Sequence, residues 1–162
     1  MLWLRALLFV LLLPATVGGL LPWLIARRAA PAAGAWRGLA LALLALGWSG
    51  LLWCVLDFAR RGRGTLAPVD PPRHLVRSGL YRVTRNPMYV SVLLAILGQA
   101  AWWRSTGLLL YAAVFLAVVS AFVRVYEEPA LARQFGDEYE RYRAEVPRWL
   151  GVVRRTRDTR DR

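Results

Sequence analysis

Hydrophobic residues in this chain occur in four long blocks rather than in alternation with polar residues. The blocks cover residues 6–25, 38–56, 88–103 and 108–123. An apolar helix of about twenty residues can cross the hydrocarbon core of a bilayer, and the first two blocks have that length. The last two would form helices of about 24 Å at 1.5 Å per residue, joined by a short turn. The pattern predicts an all-α integral membrane protein with about four transmembrane helices, the last two forming a short hairpin.

Polar segments separate and follow these blocks. Residues 57–87 form a loop rich in Arg, Pro and Gly, and the chain after the fourth block becomes amphipathic. Apolar and aromatic side chains recur there at spacings of three and four, at Leu131, Phe135, Tyr139, Tyr142 and Val146. This spacing predicts a helix over 127–149, bent near Gly136, that either lies in the membrane interface or folds under the bundle as a lid. We expect residues 1–153 to form one domain and 154–162 a charged tail.

The first block has two interpretations. Arg5 followed by the apolar run could begin a cleaved signal peptide. The small-residue cleavage site at Ala15-Thr16-Val17 is poor, however, and more apolar sequence follows it. We therefore interpret 6–25 as a helix that stays in the protein, kinked by Pro14 and Pro22.

The charge distribution predicts an orientation. All 22 basic residues are Arg, and the net charge is +12. Hydrophobic blocks lie between the Arg clusters, so anionic lipid headgroups are the expected partners, and nucleic acid is not. If both termini lie on one side, that side holds 18 of the 22 Arg. The positive-inside rule then places both termini in the cytosol, and we expect a bacterial inner-membrane location. The sequence leaves the oligomeric state open.

Cysteine and histidine limit the chemistry. Cys54 is the single cysteine and His74 the single histidine. An internal disulfide is impossible, and we expect no metal site.

The first polar segment with a chemical signature is Arg85-Asn86-Pro87, directly before the third block. Asn is a favoured helix cap, and Pro is favoured at the first helical position. A helix N-terminus has free N–H groups and a partial positive charge. With Arg85 beside it, this position suits a carboxylate.

The second such segment is Glu127-Glu128, at the end of the fourth block. The start and end of a hairpin lie on the same side, so these carboxylates should face Arg85. One interpretation is a pair of salt bridges, to Arg124 or to Arg85. The alternative is a site in which Glu receives a ligand's ammonium and Arg85 its carboxylate. S-adenosylmethionine has both groups, and its sulfonium suits aromatic faces.

Five segments in residues 74–150 carry a resemblance to a known family. They are Ser78-Gly79-Leu80-Tyr81-Arg82, Arg85-Asn86-Pro87-Met88-Tyr89, Tyr126-Glu127-Glu128-Pro129 with Leu131, Phe135-Gly136-Asp137-Glu138-Tyr139 with Tyr142, and Val146-Pro147-Arg148-Trp149. In this order they resemble the integral membrane methyltransferases of the isoprenylcysteine carboxyl methyltransferase and phospholipid methyltransferase group. Asn86 stands where the isoprenylcysteine enzymes usually have His, and Ser91 where Gly is common. The form of the segments is more similar to the phospholipid branch.

The resemblance implies a helical methyltransferase that binds S-adenosylmethionine without a Rossmann domain and acts on a lipid or other lipophilic acceptor. The chain has no Gly-x-Gly-x-x-Gly motif, which agrees with this. Catalysis is expected from Arg85 and Glu128. The expected cofactor-binding residues are Gly79, Tyr81, Arg85, Asn86, Pro87, Tyr89, Glu127, Glu128, Leu131, Tyr139 and Tyr142. Two alternatives stay open: a nicotinamide-dependent membrane reductase, and a non-enzymatic membrane protein whose Glu pair is only salt-bridged.

Overall fold

The computed structural model describes residues 12, 14–61, 74–151 and 153. Within these residues every regular element is helical, which confirms the all-α prediction. The elements are a π-helical turn Thr16–Leu20 leading into α1 (Leu21–Ala26), then α2 (Ala35–Arg61), α3 (Pro87–Trp103), α4 (Thr106–Phe122), a π-helical turn Val123–Glu127, α5 (Glu128–Phe135) and α6 (Asp137–Glu145). The expected tail at 154–162 and the beginning of the first block lie outside the described residues.

Two helical stretches are long and apolar enough to cross a membrane, Ala35–Asp57 and Thr106–Phe135. The first corresponds to the block predicted at 38–56. The other two apolar helices are shorter, Thr16–Ala26 and Pro87–Trp103. Four apolar helices thus lie where the blocks predicted them, but the number of full spans remains a prediction.

The fourth helix does not end where its hydrophobic block ends. α4 passes through the π-helical turn Val123–Glu127 directly into α5. Pro129 cannot donate a hydrogen bond to the preceding turn, and the π-helical turn ends two residues before it. A polar residue such as Arg124 marks the end of the apolar block here, but not the end of the helix.

α2 and α3 pack with their backbones in contact. A Cβ added at Gly47 would lie 2.6 Å from the Ala95 nitrogen, and one at Gly98 would lie 2.9 Å from the Leu44 nitrogen. Small residues allow this close approach between membrane helices. A Cβ on Gly50 would lie 2.7 Å from Ser91 Oγ. The larger Ser91 side chain is therefore accommodated by a glycine on the neighbouring helix.

The loops define two ends of the bundle. At one end, the Ala32 N–H donates to the Trp102 carbonyl at 2.6 Å, and Ser105 Oγ accepts from the Leu108 N–H to cap α4. The α3–α4 hairpin turns here, with Arg104 in the left-handed conformation (φ 47°). The opposite end carries the segment before α3 and the helices after α4. Both candidate chemical segments therefore lie at that end.

Candidate functional site

The segment that leads into α3 is anchored to α2. Ser78 Oγ donates to Asp57 Oδ2 at 2.8 Å. Gly79 follows with φ of 57°, and a Cβ there would lie 3.0 Å from both Asp57 Oδ2 and Trp53 Nε1. A 3₁₀ turn over Gly79–Arg82 then brings Tyr81 toward the bundle. Gly79 thus shapes this turn against α2.

Helix α3 begins at Pro87 with Asn86 as its N-cap residue, as the sequence predicts. The Asn86 side chain, however, does not cap the helix. Its Nδ2 donates to the Arg148 carbonyl at 2.9 Å, because the chain after α6 lies against the start of α3. The expected side-chain cap is therefore wrong, although the helix boundary is right.

Helices α5 and α6 pack onto the segment before α3. Tyr139, Tyr142 and Val146 are buried in one cluster with Leu131 and Phe135. The helix predicted over 127–149 is divided at Gly136, which has φ of 50°, and it ends at Glu145. A left-handed φ at glycine breaks the helix while both halves keep the apolar stripe on one side.

The apolar stripe faces protein rather than lipid. Tyr142 Oη donates to the Tyr81 carbonyl at 2.8 Å, and Leu75 also packs against the cluster. Burial raises the pKa of Tyr142 and of Tyr81 above the ordinary tyrosine value, so both phenols stay protonated. These contacts favour the lid interpretation of α5 and α6 over the interfacial one.

Glu128 lies between two arginines. Arg148 donates to it through Nε at 2.8 Å and Nη2 at 2.6 Å, and Arg85 Nη1 lies 2.8 Å from Glu128 Oε1. The side chains of Arg85 and Glu128 are only 9% and 11% exposed. The hydrogen bond to Glu128 raises the pKa of Arg148 above its ordinary value. The ion pair with Arg85 is the salt bridge that the sequence suggested, and Arg148 is a partner that it did not.

Glu127 has a different environment from its neighbour. Tyr89 Oη donates to Glu127 Oε2 at 3.1 Å, and Glu127 lines a cavity of about 320 Å³. Arg124, the other suggested partner, is exposed. The two adjacent carboxylates therefore point to different surroundings: Glu127 to the cavity and Glu128 to the arginines.

The cavity lining combines a few polar and charged side chains with many apolar ones. Its wall is formed by Pro14, Val17, Tyr81, Arg85, Asn86, Pro87, Met88, Tyr89, Val92, Phe115, Val118, Val119 and Glu127. Arg85 is one of these residues, and its buried Nε has no hydrogen-bond partner among the described residues. A buried donor of this kind is costly unless a ligand or water satisfies it.

The expected site residues divide into two groups. Six line the cavity: Tyr81, Arg85, Asn86, Pro87, Tyr89 and Glu127. Five do not: Gly79, Glu128, Leu131, Tyr139 and Tyr142. Three of these five contact lining residues: Glu128 pairs with Arg85, Tyr139 Oη accepts from Arg85 Nη1 at 3.1 Å, and Tyr142 donates to the Tyr81 carbonyl.

The sequence did not indicate that Arg148 and Trp149 contact residues of the candidate site. Trp149 meets Tyr89 edge to face with ring centroids 6.5 Å apart. The Val146-Pro147-Arg148-Trp149 segment contained a usable indication. An Arg that directly follows a buried apolar stripe needs a carboxylate or other acceptor for its charge.

Comparison with known proteins identifies the family. A family model described as phospholipid methyltransferase matches residues 36–138, which is more than half of the chain. The chain belongs to the phospholipid methyltransferase family. It is also 40% identical over 63 residues to an uncharacterized protein of Haemophilus influenzae, covering 39% of this chain and all of that protein. The resemblance proposed from the sequence motifs is therefore confirmed.

Family membership fixes the general class of the protein. The phospholipid methyltransferase family indicates a methyltransferase, and its enzymes generally use S-adenosylmethionine. Together with the two long apolar helices, membership makes this a membrane protein. The family match ends at residue 138 and does not include Arg148. The contact of Arg148 with Glu128 is therefore an observation of the structure alone.

Proposed function

We propose that this protein transfers a methyl group from S-adenosylmethionine to a lipophilic acceptor at the cytosolic face of a bacterial inner membrane. The observation that carries the proposal is the pair of opposite charges in the cavity lining. The buried Arg85 guanidinium and the Glu127 carboxylate both belong to residues that line it.

These residues fit the amino-acid end of S-adenosylmethionine. Arg85 would hold the α-carboxylate through its guanidinium, and Glu127 would hold the α-ammonium. The rings of Tyr81 and Tyr89, which also line the cavity, can face the sulfonium. No Rossmann fold is needed, because each end of the zwitterion has an oppositely charged side chain.

The geometry favours a different division of roles from the one expected for Arg85 and Glu128. Glu128 is already engaged by Arg148 and Arg85 and lies behind the cavity wall. We assign ligand contact to Arg85 and Glu127, and a positioning role to Glu128.

The chemistry requires positioning more than acid–base work. When bound, S-adenosylmethionine supplies a methyl carbon that an acceptor lone pair attacks while the bonding electrons return to sulfur. The protein would hold the reactants in line and exclude water. The apolar wall formed by Val17, Phe115 and Val118 suits the lipophilic part of an acceptor.

Binding of the cofactor by detergent-solubilised protein tests the proposal. We expect calorimetry to detect S-adenosylmethionine binding that Glu127→Gln weakens about tenfold or more, because a hydrogen bond to a charged group contributes about 1.5–3 kcal/mol. Glu140→Gln is the matched control, since Glu140 is exposed on α6 and pairs with Arg143.

Two results would contradict the proposal. One is no binding of S-adenosylmethionine in several detergents and in lipid nanodiscs. The other is binding of NADPH instead, which would favour the reductase alternative. Incubation of membranes with methyl-labelled cofactor, followed by mass analysis of the labelled product, then identifies the acceptor.

A further inference from the structure

The chain after α6 fastens itself to the start of α3. We call residues 146–149 the strap. The Arg85 N–H donates to the Pro147 carbonyl at 2.9 Å. The Arg148 carbonyl accepts from Thr84 Oγ1 at 3.0 Å and from Asn86 Nδ2 at 2.9 Å. The strap therefore contacts the backbone or side chains of three consecutive residues, two of which line the cavity.

The Arg148 side chain adds a contact of another kind. Its guanidinium forms a bidentate pair with Glu128, through Nε and Nη2. A bidentate pair fixes both the distance and the plane of the carboxylate. Arg148 thus connects the start of α3, through its carbonyl, to the start of α5, through its side chain.

The Arg148–Glu128 pair changes the net charge next to the cavity. With Arg85 alone as partner, Glu128 would neutralise the one cation among the described residues that line the cavity. With Arg148 also bound, the three side chains keep a net charge of +1. Arg85 is the member of this trio that lines the cavity, and the negatively charged Glu127 also lines it. In the described part of the chain, the wall therefore has one positive and one negative group.

We infer that Arg148 is a positioning residue for ligand binding: it engages Glu128 so that Arg85 can hold a ligand carboxylate while Glu127 holds the ammonium. This inference rests on the proposed function. Arg148 acts through Glu128, so it is not a catalytic residue. Its contribution should apply only to ligands that carry an amino-acid group.

Two probes distinguish this role from a purely structural one. S-adenosylhomocysteine has the adenosine and the amino-acid group, whereas 5′-methylthioadenosine has the adenosine without the amino-acid group. We expect calorimetry on the full-length protein in detergent to show that Arg148→Gln weakens S-adenosylhomocysteine binding at least tenfold. Binding of 5′-methylthioadenosine should change less than threefold, and Arg148→Lys should recover part of the loss because it keeps the charge.

A double-substitution cycle tests the connection through Glu128. In a Glu128→Gln background, adding Arg148→Gln should change S-adenosylhomocysteine affinity less than threefold, because the carboxylate it acts through is gone. The double variant removes both members of the Arg148–Glu128 pair, so neither is left without the other, and it stays informative if the single variant unfolds. Arg141→Gln is the control, since Arg141 is exposed and donates to the Asp137 carbonyl.

Each outcome decides between the inference and its alternatives. Equal losses for both probes, or losses that add in the double variant, would overturn the inference and leave the proposed function intact. Native-like S-adenosylhomocysteine binding by Arg148→Gln would do the same. Failure of the native protein to bind either probe or S-adenosylmethionine would overturn the proposed function and this inference together.

Discussion

Gly47 provides a test of how α2 and α3 meet, because an alanine at this position has no room. Its added Cβ would lie 2.6 Å from the Ala95 nitrogen and 2.8 Å from the Ser91 carbonyl oxygen. Both atoms belong to the α3 backbone, so no side chain can rotate away. The whole helix would have to shift. Gly38, on the same helix, has no atom within 4 Å of an added Cβ and is the matched control.

Two contributions of opposite sign set the expected change in the free energy of unfolding. Replacing Gly by Ala in a helix gains up to about 1 kcal/mol at either position. Inserting a methyl group into a packed interface costs about 1–3 kcal/mol, and the backbone contact at Gly47 places it at the upper end. We expect Gly47→Ala to lose about 1–2 kcal/mol and Gly38→Ala to gain up to about 1 kcal/mol.

Thermal unfolding in detergent, followed by circular dichroism, measures the difference. At about 2–4 °C per kcal/mol for a chain of this size, Gly47→Ala should unfold about 2–8 °C below the native protein. Gly38→Ala should unfold at the native temperature or slightly above it. Gly47→Ala unfolding at or above the Gly38→Ala temperature would refute backbone contact between α2 and α3.

Two further predictions concern the lid. Tyr142→Phe removes the hydrogen bond to the Tyr81 carbonyl and should destabilise the protein by about 1–3 kcal/mol in the same unfolding assay. Tyr126→Phe is the control, because Tyr126 is exposed. Equal losses of stability in the two variants would contradict the contact between Tyr142 and Tyr81. Gly136→Ala should cost about 1–3 kcal/mol, because φ of 50° strains a residue with a side chain, and it should also weaken S-adenosylmethionine binding. Gly34 has φ of 61° at the other end of the bundle, so Gly34→Ala should lower the unfolding temperature without weakening S-adenosylmethionine binding. If Gly34→Ala and Gly136→Ala weakened this binding equally, the result would argue against a lid role for α5 and α6.

Much of the architecture was predictable because its causes are local. Long apolar blocks indicated where helices lie, and Asn86-Pro87 correctly marked the start of α3. The apolar stripe at helical spacing predicted a helix with a bend at Gly136, where the structure has a positive φ. Each of these signals depends on residues only a few positions apart.

The end of α4 and the length of the last helix were less predictable. Arg124 ends the apolar block. The hydropathy of a segment indicates whether it lies in lipid or in water, but not whether its backbone hydrogen bonds continue as a helix. The helix therefore continues through the π-helical turn Val123–Glu127. In contrast, the chain leaves the helical conformation after Glu145 although Val146 still fits the stripe, because the following residues bind the start of α3.

The sequence indicated which segments form the candidate site, but it did not indicate how the roles of their residues divide. Glu127 and Glu128 are adjacent, and successive helical residues point about 100° apart. Which of the two glutamates faces the cavity depends on the segments that pack against each face of the helix. Tyr89 is 38 positions from Glu127, and Arg148 is 20 positions from Glu128. No local pattern encodes these distances.

The four charges explain why this arrangement can persist at the edge of a membrane. Buried charges are tolerated when they are paired and hydrogen-bonded. Arg85, Arg148, Glu127 and Glu128 sum to zero, and Glu128 alone accepts from both arginines. Removing Arg148 would leave that sum at −1 and free Glu128 to take the whole charge of Arg85. Under the proposed function, the cavity would then offer the zwitterion only a negative group, and for this reason we expect the arginine on the strap to contribute to binding although it does not line the cavity.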